Sequence, residues 1–219
     1  MPLIICKSSK KKTTNFLKNK ILRREMDILI EKALQLAKEY HKGQIIKSLG
    51  AGSYYEKHLQ PVMHIVRDAG FPEVAQAVAV LHDILEDTPM TVWKLRREMG
   101  NEVTEKVKKL TENKKLLKEE RTTKYMQKVM TDDDVIAVSL ADQINNSWRC
   151  LHEPPTVEKY ATAKWMATQI RKYTRMINLF RKYPLSDQHR VLYGMLEKNV
   201  NDLYKKYGSW IAAEEKKAA

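Results

Sequence analysis

Apolar residues recur at three- and four-residue spacing along most of the chain. Ile28, Leu29, Ala33, Leu34, Leu36 and Ala37 form one stripe, which predicts a helix over 27–41 that Lys42-Gly43 ends. The same period predicts helices over 60–69, 72–86, 91–99, 102–112, 118–130 and 133–149, punctuated by Gly70-Phe71-Pro72, Thr88-Pro89 and Gly100-Asn101. Beyond Pro154-Pro155, residues 157–182 and 187–206 read as two long helices divided by Tyr183-Pro184. The stretch from Gln44 to Tyr54, with Gly50 and Gly52, reads as a loop. Strand alternation and internal repeats are both missing, so the fold expected is an all-α helical bundle with additional C-terminal helices.

Composition sharpens that picture. A chain of 219 residues, 43% apolar and 31% charged, can bury a core of its own. Cys6 and Cys150 stand far apart without CxxC spacing, which excludes a disulfide framework and a thiolate metal site and points to a reducing, cytoplasmic compartment. No apolar run approaches the roughly 18 residues of a membrane span, and Leu3 to Cys6 is too short for a secretory signal. The net charge of +13 is unevenly spread: residues 1–25 carry eight lysines and arginines against Glu25 alone. Three segments are expected: a solvated basic extension over 1–25, a main helical domain over 26–183 and a helical extension over 184–219. The lysines come with neither aromatic stacking platforms nor a nucleic-acid-binding motif, which argues against a nucleic-acid partner.

One stretch does not fit a plain core helix. Val80 to Pro89, VLHDILEDTP, crowds His82 with Asp83, Glu86 and Asp87. Three carboxylates on adjoining helical positions repel one another unless a cation offsets them, and the carboxyl end of a helix disfavours negative charge. A His-Asp pair is a weak signal alone, and other candidate ligands strengthen it. His58 opens a helix whose apolar positions are Val62, Ile65 and Val66, and Asp142 interrupts the apolar run from Val135 to Ala141. A lone carboxylate in such a run is costly to bury without a partner. His58, His82, Asp83 and Asp142 together form an N/O donor set suited to Mn, Fe, Co or Mg rather than structural zinc.

Taken in order, Tyr55-Glu56-Lys57-His58, LHDILEDT, TENKKLLKEER and SLADQINN resemble the HD domain of RelA/SpoT proteins. The nearest likeness is to the stand-alone small alarmone hydrolases of the metazoan SpoT-homologue type, over about Met26 to Tyr173. The resemblance implies an HD-type helical domain that binds one Mn²⁺ and hydrolyses the 3′-pyrophosphate of guanosine tetra- or pentaphosphate to GDP or GTP and pyrophosphate. It carries metal ligation to His58, His82, Asp83 and Asp142, and the catalytic acids to Glu86 and Asp87. Asn146, one turn after Asp142, would orient water or ribose. Lys47, Lys114 and Tyr160, the last in EKYATAKW, would contact substrate.

The departures from the family's pattern lie at the pocket rim. In Gly43-Gln44-Ile45-Ile46-Lys47, Ile46 replaces a base-stacking arginine, and Ile46→Arg is expected to tighten guanine binding if the loop keeps the family's geometry. Leu59 replaces a proline and Gln143 an arginine. Two other readings are an HD phosphohydrolase acting on another nucleotide such as NADPH, and a non-catalytic RNA-binding helical module held by residues 1–25. His41, His64, His152 and His189 carry no ligand motif, and the tryptophans and methionines at helical spacing read as packing. The stretch 171–206 is suited to capping the domain or to a homo-oligomer contact.

Overall fold

Helix α7 (Asp133–His152) is the axis of the structure, because nearly all of its faces are buried. A helix apolar on every side must be surrounded, and α7 packs against α2 (Gln60–Asp68), α3 (Glu73–Leu81), α8 (Ala163–Phe180) and α9 (Asp187–Ala218). The computed structural model describes residues 27–218. The expectation for the basic extension over 1–25 lies outside the described residues. The first described helix, α1 (27–40), buries Ala33, Leu36 and Ala37 along its predicted stripe. The other helices are α4 (Ile84–Asp87), α5 (Val92–Leu110) and α6 (Lys118–Val129).

The all-α expectation holds: the described residues contain helices and two isolated backbone bridges, with no strand. Helix starts follow the capping residues. The side chains of Thr91, Asp132 and Thr162 each accept from the amide three residues on, at the heads of α5, α7 and α8. Gly100 adopts φ 79° inside α5 and kinks it where the sequence predicts two helices. Helix α9 lays Leu192, Leu196, Val200 and Leu203 against the core, each worth about 1.5–3 kcal/mol of burial.

Three predicted elements differ from the structure. The helix expected over 72–86 breaks at His82 and Asp83, between α3 and α4. The reason is local: Nδ1–H of His82 donates to the Ala79 carbonyl at 2.7 Å and so caps α3 with a side chain. The helix expected from 157 starts at Ala163, after a short 3₁₀ turn over Glu158–Tyr160. The loop over 44–54 is a paired flap, in which the Ile46 amide donates to the Gly52 carbonyl and the Tyr54 amide to that of Gln44, both at 3.0 Å. The flap is pinned to the segment after α7 by Gly50 N–H to Pro154 O (2.9 Å) and Thr156 N–H to Ser48 O (3.0 Å).

Candidate metal centre and adjoining cleft

Four polar side chains from three parts of the chain converge beneath the flap. His58 lies in the wide π-helical turn Tyr55–Leu59 that leads into α2, a geometry that rotates one residue out of the regular helical repeat. His82 and Asp83 lie at the α3–α4 break, and Asp142 projects from the middle of α7. His58 Nε2 is 3.2 Å from His82 Nε2, 3.5 Å from Asp83 Oδ2 and 3.4 Å from Asp142 Oδ1. His82 Nε2 is 2.9 Å from Asp83 Oδ2 and 3.9 Å from Asp142 Oδ1. Donor atoms of His58, His82 and Asp83 all lie within 4.8 Å of one another, and Asp142 closes the group from the α7 side.

The donor chemistry fits a divalent cation. The outer nitrogens of both rings are already used: His58 Nδ1–H donates to Asn145 Oδ1 at 2.8 Å, as His82 Nδ1–H does to Ala79. Each ring therefore presents an Nε2 lone pair to the same point, the tautomer in which imidazole ligates metals. Atoms about 2.1 Å from one ion lie about 3.0 Å apart at right angles, close to the observed His58–His82 separation. Nitrogen and carboxylate donors without thiolate suit Mn, Fe, Co or Mg.

The charges within the cluster support the same conclusion. Burial works against the His82 imidazolium, but Asp83 outweighs it and pushes the pKa up to about 9. Burial likewise opposes the Asp83 carboxylate, yet His82 and His58 hold it well below its usual range. A proton and a cation therefore compete for the same His82 Nε2. Binding must displace that proton, so apparent Mn²⁺ affinity is expected to rise about tenfold per pH unit towards pH 9, above which the gain ends. Calorimetric titration in buffers of different ionisation enthalpy measures the proton released. An affinity flat between pH 6 and 9 would contradict this coupling.

Several supporting residues carry no ligand signal in the sequence. The Tyr54 hydroxyl donates to Asp83 Oδ2 at 2.5 Å, and burial followed by the Asp83 charge pushes its pKa up. Asn145 fixes the His58 tautomer. His41 is buried against the Tyr54 ring, and Gln44 links its Nδ1 (2.8 Å) to the Asp87 carbonyl (2.9 Å). The adjoining asparagine, Asn146, donates to Asp142 Oδ1 at 2.6 Å, and Gln143 donates to Asp142 Oδ2 at 2.7 Å.

Glu86 and Asp87 sit one turn past Asp83, and Lys114 reaches both at 3.2 Å. Glu86 Oε2 also accepts the Glu112 amide at 3.2 Å. Lys47 is exposed on the flap, and Tyr160 packs edge-on against Trp165. Ile46 is buried in the flap, with 6% of its surface exposed. An arginine at this buried position reaches a ligand only if the flap shifts, so the gain expected from Ile46→Arg depends on that rearrangement. A cleft of about 670 Å³ opens beside the cluster, reaching from His82, Asp83, Glu86 and Asp142 to α6 and α8. Lys47, Lys114, Asn146 and Tyr160 do not line it.

Residues 33–167 match the family model of the HD domain. The chain belongs to the HD-domain family. Within that family, it is 32% identical over 122 residues to a GTP pyrophosphokinase of Streptomyces coelicolor and 34% identical over 125 residues to a guanosine-3′,5′-bis(diphosphate) 3′-pyrophosphohydrolase of Spiroplasma citri. Each match takes in 53% of this chain but only 14% and 16% of those longer relatives. The fold is also similar to a solved structure described as a metazoan ortholog of SpoT that hydrolyzes ppGpp, at TM-score 0.60 and 20% identity, covering 82% of this chain and 96% of that one. A structure from Listeria monocytogenes EGD-e matches at TM-score 0.55 and 27% identity, over 72% of this chain and 98% of that one. HD hydrolases use divalent metals, in keeping with the His/Asp cluster.

Proposed function

We propose that this HD domain hydrolyses the 3′-pyrophosphate of guanosine tetra- and pentaphosphate, with Mn²⁺ as its ion. The observation that carries the reading is the convergence of His58, His82, Asp83 and Asp142 next to an acid pair that shares one lysine. The names of the relatives favour guanosine polyphosphate over NADPH as the substrate. An ion held by those four side chains would supply positive charge to the phosphoryl oxygens and would lower the pKa of a water molecule.

The chain's own groups then have distinct tasks. Glu86 accepts a proton from the attacking water, and Asp87 holds that water or Glu86 in line. The water oxygen bonds to the phosphorus attached to the ribose 3′ oxygen, and the bond from that phosphorus to the 3′ oxygen breaks. The 3′ oxygen takes up a proton and leaves as GDP or GTP, while the attacked phosphorus departs in pyrophosphate. Lys114, now shared by Glu86 and Asp87, is the cation for which an incoming phosphate competes. Asn146 orients Asp142, and Lys47 and Tyr160 serve the nucleoside side. In this reading 26–183 is the catalytic unit of a cytoplasmic enzyme, and 184–219 is an extension that buttresses it.

Glu86→Gln is expected to keep one metal ion per chain and to lose about 10²- to 10⁴-fold in turnover, because it removes a proton acceptor and leaves the four donors in place. Metal analysis paired with single-turnover kinetics tests this. Turnover within twofold of wild type would remove Glu86 from the role.

A further inference from the structure

The cleft beside the metal centre has two walls of opposite charge. Its inner wall carries Asp83, Asp142, Glu86 and Glu112, which would repel a phosphate unless something offset them. Its outer wall carries Arg121 from α6 and Arg171, Lys172 and Arg175 from α8. Thr168, Lys172 and Arg175 recur at four- and three-residue spacing and so share one helix face directed at the cleft. Favourable interaction with the helix dipole cannot explain these bases, since the last turn of α8 contains none.

Ion pairing among the described residues does not account for Lys172 and Arg175 either. Arg121 lies 3.0 Å from Glu112, but neither Lys172 nor Arg175 pairs with an acid among the described residues. At the junction of the two walls, Gln143 is buried and tethered through its amide nitrogen to Asp142. Its Oε1 is buried without a partner among the described residues, an acceptor waiting for a donor such as a hydrogen phosphate or an ordered water. A volume of about 670 Å³ falls in the usual range for a small-molecule site.

We infer that the α6–α8 wall is a phosphate subsite in which Lys172 and Arg175 hold the distal phosphoryl group of a substrate's pyrophosphate while the proximal phosphorus faces the His/Asp cluster. The inference rests on the hydrolase reading for its choice of ligand. It makes the length of the phosphate chain, rather than the base, the quantity this wall measures. The nucleoside then lies outside the cleft, whose lining contains none of Lys47, Asn146 and Tyr160.

The test uses the full Mn²⁺-loaded chain, with Mn²⁺ in excess, titrated with inorganic pyrophosphate and with inorganic orthophosphate. Wild type is expected to bind pyrophosphate more tightly than orthophosphate. Lys172→Ala with Arg175→Ala should weaken pyrophosphate binding by about tenfold or more, leave orthophosphate within about twofold, and keep wild-type metal content. The charge-conserving pair Lys172→Arg with Arg175→Lys should restore most of the affinity, which loss of fold could not mimic. Pyrophosphate binding that is missing in wild type, or equal in the alanine variant, overturns the subsite, and ppGpp turnover by the same wild-type sample would leave the hydrolase reading standing. Conversely, wild type that leaves ppGpp intact, with pyrophosphate binding lost in the alanine variant, would defeat that reading and support the subsite.

Discussion

Replacing Asp83 with alanine should abolish turnover and lower Mn²⁺ affinity by well over about 100-fold, more than loss of a residue that only orients a ligand. Asp83 is the hub of the cluster: one oxygen, Oδ2, lies 2.5 Å from the Tyr54 hydroxyl, 2.9 Å from His82 Nε2 and 3.5 Å from His58 Nε2. No other candidate carboxylate faces both imidazoles that closely. Tyr54→Phe removes only the hydroxyl donor and should cost about 10- to 100-fold in metal affinity. The two variants thus separate a ligand from the residue that orients it. Elemental analysis after dialysis decides the matter, and stoichiometric metal in Asp83→Ala would exclude Asp83 as a ligand.

The second large effect concerns stability. Arg149 on α7 is buried, with Nε 2.7 Å from Glu153, and its other nitrogen donates to the Leu49 carbonyl in the flap. Glu153 also meets Lys57 at 3.3 Å and packs so closely on Gly50 that an added Cβ would lie 2.1 Å from its carboxylate. Removing Arg149 leaves the largely buried Glu153 with only the half-exposed Lys57 and the Leu49 carbonyl without its donor, at a cost approaching the roughly 3–5 kcal/mol of a broken buried pair. Arg149→Ala should therefore lower the melting temperature on the order of 10 °C and speed amide exchange at Ile46 and Gly50. Exchange in α5, which makes no hydrogen bond to Arg149, Glu153 or the flap among the described residues, should change far less at low temperature. Calorimetry with hydrogen exchange checks both, and a shift below about 2 °C would mean the pair is not holding the flap.

How far the sequence disclosed these features follows from the range of each interaction. Helix order was legible because apolar periodicity is a local signal, and it even separated the two halves of α5 at Gly100. His58, His82, Asp83 and Asp142 stood out because polar groups in apolar runs need partners, and the structure brings all four together. The break at His82 was hidden, since the apolar period runs on through Ile84 and only a side-chain bond to Ala79 interrupts it. Asn145 and Asn146 are neighbours in sequence but point about 100° apart on a helix, so one serves His58 and the other Asp142. Arg149 and Glu153 have the spacing of an ordinary surface pair, and only the flap folding over them makes them buried. The bases of α8 look like a solvated face until α6 is set opposite them.

The most direct measurement is product analysis of the Mn²⁺-loaded protein incubated separately with ppGpp and NADPH, with Asp83→Ala as the control. Pyrophosphate and GDP from ppGpp, absent with the variant, are the expected products. A wild-type protein holding one metal ion per chain that leaves ppGpp intact, or that releases orthophosphate from NADPH alone, would contradict the proposed activity.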